Sequence, residues 1–295
     1  MDLTRTGPRH FLNPTREALA QLSFDRIEAR PLSPTIGAEI RGVDLAKPLD
    51  ETTFKEIHRA LLDYKVIFFR DQKITTKQHV DFARLFGELE VHPFLPSNTE
   101  FPELVRFEKN EKTKGAENLW HSDVSWRLEP SLGSVLRCIL APPVGGDTLF
   151  CDMVAAYDGL SDELKERIDG LFAIHDFTHS FGRALKGEAL KVKQKEFPPA
   201  RHPVARTHPE TGKKILYVNR IFASHIEGVD PEESDALMKT LCDQSLAPEY
   251  QCRFRWENDS IAFWDNRSTQ HYATSDYWPQ ERIMERATVI GDRPV

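Results

Sequence analysis

Residues far apart in this chain must meet at one point, and that limits the folds open to it. His121 and Asp123 lie in Trp120-His-Ser-Asp-Val-Ser-Trp126, and a lone His271 closes Trp264-Asp-Asn-Arg-Ser-Thr-Gln-His271 far downstream. In an extended strand, residues i and i+2 point to the same face, so one imidazole and one carboxylate converge. Two neutral nitrogens and one oxygen on one face of a metal leave several positions open. That donor set suits mononuclear Fe(II) oxygen chemistry. Zinc accepts the same three ligand types. A bare His-x-Asp pair also arises by chance in a chain with 11 histidines.

Bulk properties narrow the setting. The 295 residues carry a formal charge of −7, with 40% hydrophobic and 29% charged residues. This is an ordinary globular composition. The acidic balance argues against nucleic-acid binding and against attraction to an anionic membrane. It leaves room for a small anionic substrate in a locally cationic pocket. Cys138, Cys151, Cys242 and Cys252 show no C-x-x-C spacing and read as reduced residues of a cytoplasmic protein. No apolar run has the length of a membrane span, and no secretory signal is evident. Residues 1–25 read as a polar N-terminal arm, and residues 26–295 as a single domain. A homo-oligomer, dimer or tetramer, is the default for such an enzyme.

Periodicity places several elements. Phe24–Arg30 and Ile36–Gly42 read as short strands, and Val66–Phe69 as a buried one. Phe54, Ile57, Leu61 and Tyr64 recur at helical spacing within Thr52–Tyr64. Thr75-Thr-Lys-Gln78 is a capping-box pattern opening a helix, and Gly87 suits its C′ position. Ser161–Leu171 reads as a helix. Asp230-Pro-Glu-Glu233 combines an N-cap, Pro at N1 and an acid at N3, for a helix reaching Leu246. Strands follow around Cys252–Glu257, Ser260–Asp265 and Ile283–Ile290. Helices flanking late antiparallel strands predict a mainly β fold with flanking helices (α+β), or a helix-decorated jelly roll. A doubly wound sheet is disfavoured, because regular strand–helix alternation and a Gly-rich phosphate loop are missing.

Arg282 and Arg286 sharpen the metal reading. On one strand, Arg282, Met284, Arg286 and Thr288 share a face, while Ile283, Ala287 and Val289 share the other. The apolar face packs on a core, so both guanidiniums point inward. Buried charges need partners, and guanidinium matches carboxylate or sulfonate oxygens. The opposite register, or pairing of both arginines with Asp or Glu, is the competing reading.

The chain resembles the Fe(II)/2-oxoglutarate-dependent dioxygenases of the taurine dioxygenase family, from about Ile36 to the C-terminus. The resemblance rests on Trp120-His-Ser-Asp123, Gly145-Gly-Asp-Thr148, His202–Pro209, Trp264-Asp-Asn-Arg267, Thr269-Gln-His-Tyr272 and Gln280–Pro294. It implies a double-stranded β-helix (jelly roll). It implies His121, Asp123 and His271 as iron ligands, and Thr148 and Arg282 as contacts of 2-oxoglutarate. It implies Arg286, His92 and the Val124 backbone N–H as the clamp on a substrate anion. Ser180, Phe181 and Phe222 match other positions of the substrate pocket, although plain core packing would also explain the two phenylalanines.

Two positions depart from the family pattern. Leu95 stands where taurine dioxygenase has a Tyr near the substrate amine, and Glu117 where it has an Asn. Both fall at the amine end, while the sulfonate end is kept. The implied reaction uses O₂ and 2-oxoglutarate to hydroxylate a taurine-like sulfonate beside sulfur, releasing sulfite and an aldehyde with succinate and CO₂. Alternatives are an alkyl sulfate or aryloxyalkanoate dioxygenase, and a zinc hydrolase on a jelly roll.

Overall fold

Strands that read as unbroken apolar runs are the ones buried on both faces. The computed structural model describes residues 7–114 and 118–295. Fifteen strands occur among them: β1 Glu28–Pro31, β2 Ala38–Arg41, β3 Val66–Phe69, β4 Leu104–Lys109, β5 Ser131–Leu140, β6 Thr148–Asp152, β7 Phe172–His175, β8 Ala200–Pro203, β9 Ala205–Thr207, β10 Lys214–Leu216, β11 Ala223–Ile226, β12 Gln251–Phe254, β13 Ile261–Asp265, β14 Thr269–Ala273 and β15 Arg282–Ile290. The helices are α1 Asn13–Ala20, α2 Glu51–Tyr64, α3 Thr76–Arg84, α4 Met153–Asp158, α5 Asp162–Ile168, α6 Glu188–Glu196 and α7 Pro231–Cys242. The major sheet runs β1-β2-β3-β13-β5-β15-β4, and a second sheet runs β12-β6-β14. Only β2 and β3 pair in parallel among these strands.

Three apolar layers follow from strand alternation. In β13, Ile261 and Phe263 face α2 and α3, with Ile57, Leu61, Val80 and Phe82. Ala262 and Trp264 face the opposite way, into the space between the two sheets, where they meet Phe68, Phe150, Phe254 and Met284. The Phe68 and Phe254 rings stack there with centroids 4.0 Å apart. A third cluster seats α4, α5 and α7 through Met153, Ile168 and Leu241, together with Tyr250. This is the expected jelly roll, with helices on its outer faces. No helix among the described residues is long and apolar enough to cross a membrane.

Local chemistry explains where elements start and stop. The capping box at Thr75 and Gln78 is formed in full. Asp230 accepts from Glu232 and Glu233 N–H and caps α7, which ends at Cys242 before a 3-10 turn continues to Leu246. The first strand begins later than Phe24, because the N–H groups of Asp25, Arg26 and Ile27 bind the Glu56 carboxylate instead of a neighbouring strand. Gly87 lies beyond the C-cap, Leu85, at φ +148°. That positive φ favours glycine, and a Cβ would also lie 3.1 Å from Val289 Cγ1. Within the N-terminal segment, α1 docks through buried Leu19, and Arg9 reaches the Tyr250 hydroxyl at 3.1 Å.

Candidate active site

Two sequence segments zip together to make the centre. His121 and His271 form an isolated antiparallel bridge, with His121 N–H donating to His271 O at 3.1 Å and the reverse bond at 2.8 Å. Beside it, Ser122 Oγ donates to Thr269 O at 2.8 Å. The side-chain donor atoms of His121, Asp123 and His271 lie within 4.8 Å of one another.

The donors are in the right form for a metal. His121 Nδ1 lies 2.8 Å from Leu119 O. A carbonyl only accepts, so Nδ1 carries the proton and Nε2 presents its lone pair. Burial, reinforced by His121, lowers the His271 pKa to about 3 and keeps that ring neutral. Burial alone would raise Asp123, but Arg286 and then the two histidines outweigh it. They hold the carboxyl well below the usual range. Ser134 Oγ donates to Asp123 Oδ2 at 3.0 Å, and Arg286 Nη1 to Oδ1 at 2.7 Å. Trp264 backs the His271 ring at 4.8 Å.

These three side chains, His121, Asp123 and His271, open on a cavity of about 200 Å³. Its lining includes Thr148, Arg282, His92, Leu95, Val124, Phe181, Phe222 and Arg286, so these sequence-selected residues are brought together. Ser180 is not among them, and its hydroxyl donates to Phe177 O at 2.9 Å. Glu117 lies outside the described residues. β15 takes the register with both arginines and Met284 toward the cavity, while Ala287 packs with the α2–α3 layer. Part of the competing reading also holds, since Arg286 does pair with an aspartate, and that aspartate is Asp123 itself.

Each end has its own support. Trp256 Nε1 donates to Thr148 Oγ1 at 2.9 Å, so the Thr148 hydroxyl keeps its proton for another acceptor. The stem of Arg282 passes over Gly146, where a Cβ would lie 3.2 Å from its Cδ and the φ is +71°. That is the structural reason for Gly146, while at Gly145 (φ +83°) a Cβ would lie 2.8 Å from Asp276 Oδ1. At the other end, His92 Nδ1 accepts from Phe94 and Leu95 N–H at 3.2 and 3.1 Å. Its proton is therefore on Nε2, a donor ring held neutral because burial and then Arg286 lower its pKa to about 3. Phe94, Phe181 and Phe222 form an aromatic wall, with Phe94 and Phe181 stacked at 5.3 Å. Ser134, Trp256, Phe107 and Tyr277 escaped the sequence reading. Only Trp256 carried a signal, through its alternation with Cys252 and Phe254.

A metal held from one side, open toward a cavity with two cationic anchors, meets the needs of an oxygenase with an acidic co-substrate rather than of a closed structural metal site. The model of the family "Taurine catabolism dioxygenase TauD, TfdA family" matches residues 28–288, and the chain belongs to that family of 2-oxoglutarate-dependent dioxygenases. Its enzymes use Fe(II), 2-oxoglutarate and O₂. The chain is 35% identical to an alkylsulfatase of Acinetobacter baylyi, over 90% of this chain and 86% of that one. It is 36% identical to an alpha-ketoglutarate-dependent sulfate ester dioxygenase of Pseudomonas putida, over 91% of both. A solved taurine dioxygenase of Burkholderia xenovorans superposes with a TM-score of 0.79 at 39% identity, covering 92% of this chain and 93% of that one. Other relatives are named for sulfonates and for 2,4-dichlorophenoxyacetate.

Proposed function

We propose that the enzyme hydroxylates a monoanionic organosulfur acid, a sulfate ester or sulfonate with an uncharged apolar tail, at the carbon bearing the acid group. The carrying observation is the tail end of the cavity. Leu95, Phe181 and Phe222 line it, and Asp123 is the one carboxylate among the described lining residues. Asp123 already pairs with Arg286, so none of the described lining residues offers the ammonium of taurine a free counter-ion, and burying it unpaired would be costly.

His121, Asp123 and His271 would hold Fe(II), which supplies the activation of O₂ coupled to oxidative decarboxylation of 2-oxoglutarate. Thr148 and Arg282 would hold the far carboxylate of 2-oxoglutarate. The Nε2–H of His92 and the guanidinium of Arg286 would orient the acid group, and the aromatic wall would exclude water. Positioning of this kind can supply a large part of a rate enhancement. One oxygen atom enters the substrate C–H bond and the other enters succinate. The hydroxylated sulfate ester then breaks its C–O bond to give an aldehyde and hydrogen sulfate. A sulfonate breaks its C–S bond instead, to give an aldehyde and hydrogen sulfite.

The test is anaerobic addition of Fe(II) and then 2-oxoglutarate, watching the visible charge-transfer band. A substrate panel under air follows, scored by succinate with sulfate or sulfite. Alkyl sulfates or alkanesulfonates should exceed taurine in kcat/KM by at least about tenfold, the size of effect that one mismatched pocket contact produces. Taurine as the best substrate would overturn the tail assignment. Phenoxyacids as the best substrates would overturn the sulfur headgroup.

A further inference from the structure

We propose that Asn266 is a positioning residue that fixes the carboxylate ligand in place before any metal binds. The inference rests on Asp123 being a ligand and is independent of the organic substrate. Asn266 is fully buried in the turn between β13 and β14. Its Oδ1 accepts the Asp123 N–H at 2.7 Å, and its Nδ2 donates to Asp123 O at 2.9 Å and to Ser131 O at 3.3 Å. One planar amide thus grips both backbone polar groups of one residue. A neighbouring antiparallel strand normally satisfies such a pair. Here the chain leaves the extended region immediately after Asp123, because Val124 has φ +44°. That is an unfavourable conformation for a β-branched residue and persists only where the surroundings over-determine it.

The amide stands on a rigid base. Asn266 N–H donates to Leu132 O at 2.8 Å. Arg267 bonds Asp265 through Nε and Nη2 and Glu210 through Nη1, and His208 Nε2 lies 2.9 Å from Asp265 Oδ2. Five residues after Asn266 comes His271. One turn therefore delivers the second imidazole and the grip on the carboxylate together. The His121–His271 bridge, the Ser122–Thr269 bond and the Asp123–Asn266 pair tie the same two segments together side by side. This accounts for the His-x-Asp spacing opposite Asn-x₄-His.

Two measurements test it. In Asn266→Ala that retains the wild-type circular dichroism, the Kd for Mn(II) should rise about ten- to a hundredfold, as for other residues that orient metal ligands. At saturating metal, 2-oxoglutarate affinity should stay within about twofold, because Thr148 and Arg282 are untouched. A folded variant with wild-type Mn(II) affinity overturns the proposal, and so does equal loss of both affinities. If Ala does not fold, isosteric Asn266→Asp sets an oxygen against two carbonyls and should weaken Mn(II) binding likewise. The second measurement needs no variant. In the metal-free wild type, hydrogen exchange across residues 121–124 should already be as slow as in β13. Protection that appears only when Mn(II) is added overturns preorganisation. Failure of the wild type to bind Mn(II) at all would instead strike the ligand assignment.

Discussion

The two ends of the cavity are built by different means. Around Asp123, position is set by directed bonds: the backbone bridge of His121 with His271, the Ser134 hydroxyl, the Arg286 guanidinium and the Asn266 amide. At the tail end, Leu95, Phe181 and Phe222 set shape through ring and methyl packing. Hydrogen bonds fail when a partner moves by a fraction of an ångström, whereas apolar contacts degrade gradually. The chemical step can therefore stay fixed within a family while the tail pocket changes. The departure at Leu95 falls where change is tolerated.

Substitutions at the directed end should have the largest effects. Asp123→Ala and His271→Ala should abolish succinate release and the charge-transfer band together. Survival of the band in either would break the contrast. Arg286→Ala comes next. It leaves Asp123 buried without its cation, a loss of about 2–5 kcal/mol for such pairs. It should raise the KM for the organic substrate while the 2-oxoglutarate band persists. Disappearance of the band would exchange the roles given to the two arginines.

Smaller effects belong to the packed end. Phe181→Ala should lower kcat/KM for an apolar-tailed substrate by about 1–3 kcal/mol with metal affinity unchanged. Leu95→Tyr restores a hydroxyl near the tail and should narrow the preference over taurine by a similar amount. A loss of metal binding in either would show the two ends to be coupled.

Acid stability involves groups away from both ends as well, since His79 and His202 do not line the cavity. Burial holds His79 and His202 at about 4 and His92 at about 3, below the usual 6.5. Between those values the unfolded chain takes up protons that the folded chain refuses. Stability is thus complete above about pH 6.5 and falls toward pH 4, by up to about 1.4 kcal/mol per pH unit for each group. Asp123 and Asp265, held below the usual carboxylate range, keep their contribution until the pH drops under about 4. Thermal melts at pH 7 and pH 5 should show the difference, and His202→Gln should flatten it.

Much of the site was legible because it is written in local spacing. His121-x-Asp123 lies in no strand but in a short segment beginning at an isolated bridge, whereas Arg282-x₃-Arg286 needed only the strand that β15 supplies. The apolar runs Val66–Phe69 and Ser260–Asp265 announced strands covered on both sides. Short strands such as β7 to β11 left no comparable pattern, since three or four residues carry too few alternations to read. Ser134 and Phe107 join the site only through strands paired across the barrel, so nothing near them in the chain marks them.

The sequence by itself determined the donor types and the two guanidiniums on one strand face, because those follow from residue type and backbone period, while the class of chemistry came from the family resemblance. Tertiary structure alone decided that Arg286 faces Asp123, that His92 donates from Nε2, and that the Asn266 amide holds the Asp123 peptide. Those facts depend on which atoms lie within about 3 Å across segments distant in the chain, a range over which a hydrogen bond is made or lost.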